Sequence, residues 1–150
     1  MTLQEAYNFF ESLITETTKK SEIKVYKKFL HILTELKTRK FTEDERESIE
    51  AQLDSLNLNS NPENRKKYFK KTLSKFEDFL KDTFSLTSKG YYTQLGIGLG
   101  SSFGIIFGIV FLSSFERSLG IALGLSIGML IGLIIGQSMD AKAKSESRVL

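Results

Sequence analysis

The amino-acid sequence predicts an all-α protein, an N-terminal four-helix soluble bundle followed by a two-helix transmembrane hairpin. Three observations predict it. Apolar residues recur at helical spacing through the first 84 positions, two uncharged stretches of 26 and 22 residues follow, and no alternating strand pattern occurs. The reading divides the chain into a cytoplasmic helical domain (1–84), a linker (85–90), a transmembrane glycine-zipper hairpin (91–139, with spans at about 91–114 and 118–139) and a charged cytoplasmic tail (140–150).

The first helix starts at a capping box, Thr2 with Glu5, and its apolar face is Leu3, Ala6, Tyr7, Phe10, Leu13 and Ile14. A second amphipathic helix follows from Ile23, Tyr26, Phe29, Leu30, Leu33 and Leu36, with lysines on its other side. A second capping box, Thr42 with Glu45, and an acidic first turn open a shorter third helix with Ile49, Leu53 and Leu56 as its stripe. Residues 57–62 read as a loop, with Asn61 as a cap and Pro62 as the first residue of a fourth helix. Its aromatic face is Tyr68, Phe69, Leu73, Phe76, Phe79 and Leu80. Four such stripes, joined by short polar connections, bury each other in the middle of a bundle.

Residues 90–115 and 118–139 are each longer than the roughly 20 residues that cross about 30 Å of hydrocarbon as helix. They are apolar on every side, and the four preceding helices could not cover both, which points to lipid. Between them stands only the neutral pair Glu116 and Arg117. Tyr91 and Tyr92 suit the membrane interface, and Lys81, Lys89, Lys142, Lys144 and Arg148 flank the spans. The positive-inside rule then puts both termini in the cytoplasm and the hairpin in the inner (plasma) membrane of a bacterial-type cell. The N-terminus has no basic start, apolar core or cleavage site of a signal peptide.

Within the first span Gly96, Gly100, Gly104 and Gly108 fall every fourth residue. Gly120, Gly124, Gly128, Gly132 and Gly136 repeat this in the second. Lipid tails are as apolar as leucine, so helices in lipid associate by close van der Waals contact, and glycine lets two backbones approach. A turn centred on Glu116 pairs position i with position 232 minus i, which sets Gly96 against Gly136, Gly100 against Gly132, Gly104 against Gly128 and Gly108 against Gly124. The same stripes could instead join separate chains. This GxxxGxxxG pattern, over residues 96–136, resembles the glycine-zipper membrane proteins, among them mechanosensitive channels and pore-forming toxins. The resemblance implies an oligomer formed through the zipper helices, and it gives the alternative reading of an oligomeric channel or membrane-permeabilising effector.

Catalytic, cofactor and metal sites are not expected. With no Cys and His31 as the single histidine, no common zinc set can form, and neither span holds an Asp, Glu, Lys, Arg or His for a proton relay. Arg65, Lys66, Lys67, Lys70, Lys71 and Lys75 form a basic run that is either a contact for an anionic surface or the solvated face of a helix. The run from Tyr68 to Leu80 resembles the helical core-binding domain of tyrosine recombinases. The catalytic half of that family has no counterpart here, which excludes strand transfer, and nucleic acid is not an expected partner. The partners expected are the lipid bilayer, further copies of the chain and a cytoplasmic protein.

Overall fold

The computed structural model describes residues 1–60, 62–111 and 117–150, and the side chain of Arg117 is outside that description. Among the described residues six helices follow one another: α1 (Leu3–Glu16), α2 (Lys20–Thr38), α3 (Glu43–Ser55), α4 (Arg65–Phe84), α5 (Tyr91–Phe111) and α6 (Arg117–Ser145). The described residues contain no strand, only an isolated bridge between Thr87 and Val149. The chain is thus all-helical, and it divides into two compact units, Met1–Leu86 together with Leu150, and Thr87–Val149.

In the first unit both capping boxes form. Thr2 accepts from the Glu5 N–H at 3.2 Å while the Glu5 carboxylate takes the Thr2 N–H at 2.9 Å. Thr42 and Glu45 repeat the exchange at 3.3 and 2.8 Å. The start of α4 differs from expectation. Asn64 caps it, accepting from the Lys67 N–H at 3.0 Å, so Pro62 lies in the connection ahead of the helix. Asn64 carries its own cap oxygen three residues before that N–H, so the helix can start without a proline. Asn61 is outside the described residues.

The stripes of α1, α2 and α4 meet in an aromatic core. The Phe10 ring stacks on Phe29 at 4.1 Å between centroids and meets Phe69 edge-on at 5.7 Å. Tyr26 meets Phe69 edge-on at 5.3 Å, and Phe29 lies over Phe76 at 6.4 Å. Offset and edge-to-face pairs such as these contribute beyond their buried area. Tyr68 reaches sideways, its hydroxyl donating to the carbonyls of Leu56 and Asn57 at 3.1 and 2.8 Å, which ties the end of α3 to α4.

In the second unit α5 and α6 lie antiparallel along most of their length. Each is long and apolar enough to cross a membrane, yet only 11% and 22% of the residues in their apolar windows are buried. A core helix of a soluble protein would be mostly buried. Helix α6 continues through Ser145, so the first part of segment 140–150 is helical. It ends in a Schellman motif. Ser147 takes the left-handed conformation at φ 55°, the Arg148 N–H reaches the Ala143 carbonyl at 2.9 Å, and the Ser147 N–H reaches Lys144 at 3.1 Å.

Candidate functional site

The site to be weighed is the seam between α5 and α6, because nine glycines stand along it. A Cβ placed on Gly100 would collide with the Gly128 carbonyl oxygen, and would lie 3.0 Å from the Gly128 carbonyl carbon and 3.1 Å from the Gly132 Cα. At Gly104 the same atom meets Gly124 and Gly128, and at Gly96 it meets Gly132 and Gly136. From the other side, Gly128 faces Gly100 and Gly104, and Gly124 faces Gly104 and Gly108. Each of these glycines therefore nests between two glycines of the opposite helix.

This refines the expected pairing by half a step. The α-carbons face each other by the sum of 232, as with Gly100 and Gly132, while the carbonyl that fills the missing side-chain space follows the sum of 228, as with Gly100 and Gly128. The half step arises because a backbone carbonyl points into the gap between two residues of its neighbour. At one end Gly108 meets Gly120 and Ile121, and at the other a Cβ on Gly136 would meet the Tyr92 carbonyl oxygen at 2.5 Å and the Thr93 α-carbon at 2.6 Å. The turn centred on Glu116 lies outside the described residues. Gly98 is outside the series and has nothing within 4 Å of the place a Cβ would take.

Sequence reasoning missed the group that closes the open end of the hairpin. The Asp140 carboxylate accepts from the Tyr92 N–H at 3.1 Å, the Thr93 N–H at 3.0 Å and the Thr93 hydroxyl at 2.6 Å. These N–H groups belong to the first turn of α5, which has no partner for them within its own helix. Asp140 thus caps α5 from the opposite helix, with its charge at the positive end of the dipole. A signal was available. Asp140 is the next member of the every-fourth series after Gly136, so it continues the face that α6 turns toward α5. Beside this clamp the Thr87 N–H donates to the Arg148 carbonyl at 2.9 Å, and the Arg148 guanidinium pairs with Glu146, which raises its pKa further.

Three serines of the spans bond back to their own helices. The Ser101 hydroxyl donates to the Ile97 carbonyl at 2.6 Å, Ser102 to Gly98 at 3.0 Å and Ser126 to Ala122 at 2.8 Å. The basic run of α4 stays on the surface of the first unit. Lys66, Lys67, Lys70, Lys71 and Lys75 are exposed, and half-buried Arg65 lies 4.0 Å from the Glu16 carboxylate. His31 is exposed on α2. Among the described residues no three His, Asp or Glu side chains stand close enough to hold a metal.

These features define a class: an all-α chain carrying a tightly packed hairpin of two helices that could each span a membrane. No family model matches the chain, and no curated protein or solved structure matches it.

Proposed function

We propose that this is a non-enzymatic integral membrane protein whose glycine-zipper hairpin anchors a helical protein-interaction domain and assembles it into an oligomer. The observation that carries this reading is the hairpin itself. Its backbones meet along a glycine seam while its large side chains, Phe103 at 69% and Ile134 at 65% exposure among them, face outward. In water such a surface would aggregate, and in hydrocarbon it is at home.

The seam glycines are occupied by contacts within the chain, so the oligomer forms through the outward faces of the same two helices. Gly98 with Ser102 on α5, and Ala122 with Ser126 on α6, place small residues four apart on those faces, the spacing that lets helices approach in lipid. Flanking lysines put the first unit and the segment after α6 on the cytoplasmic side of the plasma membrane. The protein partner docks on the first unit. The hydroxyls of Ser101, Ser102 and Ser126 are bonded to their own helices and so are not turned toward a pore, which favours an anchor over a channel.

The test is to reconstitute the purified chain in liposomes, then to record ion flux and determine particle mass on one sample. The expected outcome is a carbonate-resistant, flux-silent particle whose mass is a multiple of 17.0 kDa. A monomer would remove the oligomer. Reproducible conductance abolished by Gly128→Leu would replace the anchor with a channel.

A further inference from the structure

One face of the hairpin carries a cleft. Its floor is the glycine seam from Gly96 to Gly104 on α5 and from Gly124 to Gly132 on α6, and its walls are Leu99, Phe103 and Phe107 facing Ile127, Ile131 and Ile135. Every wall residue immediately precedes a seam glycine, so the four-residue spacing that brings the backbones together also raises two parallel apolar ridges on the same side. The cleft encloses about 470 Å³. From Gly96 to Phe107 it runs about 16 Å at 1.5 Å per residue. That is roughly half of the 30 Å hydrocarbon core, the depth of one leaflet.

We infer that this cleft is a binding site for one acyl chain of an anionic phospholipid from the leaflet at the open end of the hairpin. The inference rests on the membrane reading above and adds a ligand to it. Volume agrees with length. At about 30 Å³ for a water-sized group, the cleft takes on the order of fifteen such groups, the count of methylenes in a membrane acyl chain. A helix about 10 Å across cannot reach the glycine floor between two helices in backbone contact, whereas a methylene chain can.

Charge selects the headgroup. Lys89 stands two residues before α5 and Lys142 in the last turns of α6, both exposed and both at the end where Asp140 reaches Tyr92. The carboxylates of that end are committed elsewhere, Asp140 to the cap of α5 and Glu146 to Arg148. Among the described residues neither lysine has a carboxylate partner. A lipid phosphate at the membrane surface completes them while its tail lies in the cleft.

The chain contains no Trp, so a single introduced indole reports its own surroundings. The experiment places Phe103→Trp or Phe107→Trp in the cleft wall and Ile106→Trp on the outward face as a control, Ile106 being 59% exposed but not part of the cleft. Each full-length variant is reconstituted in phosphatidylcholine vesicles containing a titrated fraction of phosphatidylglycerol brominated on its tails, or of brominated phosphatidylcholine. The expected result is quenching at the two wall positions at a lower fraction of brominated phosphatidylglycerol than of brominated phosphatidylcholine, with no such preference in Ile106→Trp. Lys89→Gln and Lys142→Gln should each reduce the preference about fivefold, from roughly 1 kcal/mol per surface lysine. Equal quenching of all variants by both lipids would overturn the site, since ordinary surrounding lipid would explain it. Wall positions shielded more than Ile106→Trp would also overturn it, by placing a second hairpin in the cleft. No quenching at any position would instead remove the hairpin from the bilayer and sink the membrane reading itself.

Discussion

The first unit and the hairpin are both built of helix-to-helix contacts, and they solve the contact in opposite ways. Between α1, α2 and α4 the space is filled by the rings of Phe10, Tyr26, Phe29, Phe69 and Phe76, each fully buried. Between α5 and α6 the space is removed, because a residue with any side chain would collide with a carbonyl of its neighbour. With the hairpin in the membrane, as proposed above, solvent accounts for the difference. In water, apolar area withdrawn from solvent stabilises at roughly 25 cal/mol per Å², so large rings are favoured. In lipid the tails match leucine in polarity, and what remains is close van der Waals contact and dipole packing between backbones.

A crossed experiment would break this comparison. Phe10→Ala removes a ring that touches Phe9, Tyr26, Phe29 and Phe69, and should cost about 3–5 kcal/mol in the first unit. Gly128→Ala adds one methyl where the Gly100 carbonyl and the Gly104 Cα already sit, and should cost about 1–3 kcal/mol in the hairpin as overpacking. Hydrogen exchange on the full chain in detergent reads both units at once. Phe10→Ala should speed exchange in α1, α2 and α4 alone, and Gly128→Ala in α5 and α6 alone, while Ile106→Leu changes neither. Unchanged protection of α5 and α6 in Gly128→Ala would mean that backbone contact does not hold the seam.

Asp140 sharpens the comparison, since among the described residues it is the one charged side chain that enters the line of the seam. Asp140→Ala removes the partner of two N–H groups and one hydroxyl, for an expected loss of about 1–2 kcal/mol. Faster exchange confined to the Tyr92 and Thr93 amides, with Asp140→Asn in between, is the expected pattern. Protection equal to that of the unchanged chain would show that water caps α5 as well as the carboxylate does.

Much of this is legible in the sequence because two periods are legible. Repeats at three and four residues define the apolar faces of α1, α2 and α4, and the capping boxes at Thr2 and Thr42 mark two helix starts that the structure reproduces. The uncharged spans mark α5 and α6. What is not legible depends on distances the chain alone does not carry. The half-step register of the seam follows from where a carbonyl falls between two glycines, and spacing alone cannot place it. Asp140 reads as part of a charged tail because its neighbours Lys142 and Lys144 are charged. Its place in the every-fourth series becomes informative only once α6 is known to run on to Ser145. The start of α4 departs from expectation because proline is a strong signal at a first helical position, while Asn64, a cap of equal quality, stands two residues further on.

The smallest effect tests the rule on the water-side core, where filling space is not the same as satisfying polar groups. Tyr26 is fully buried among Phe10, Phe29 and Phe69, and its hydroxyl has no hydrogen-bond partner among the described residues. Burial first, and the Glu22 carboxylate second, raise its pKa above the ordinary phenol value. A folded-state pKa raised above the unfolded one favours the protonated form, so this stability is fully present below about pH 10 and is lost as pH rises through the folded value. Tyr26→Phe keeps the ring contacts and removes the unpaired oxygen. It should be more stable than the unchanged chain by about 1 kcal/mol at neutral pH, with the gap widening above pH 10 as only the tyrosine must ionise or unfold. Thermal unfolding of both proteins at pH 7 and 10.5 measures it. A lower Tm for Tyr26→Phe at pH 7 would show that the hydroxyl is held by a bond to water, and that this core, unlike the seam, uses a polar group at its centre.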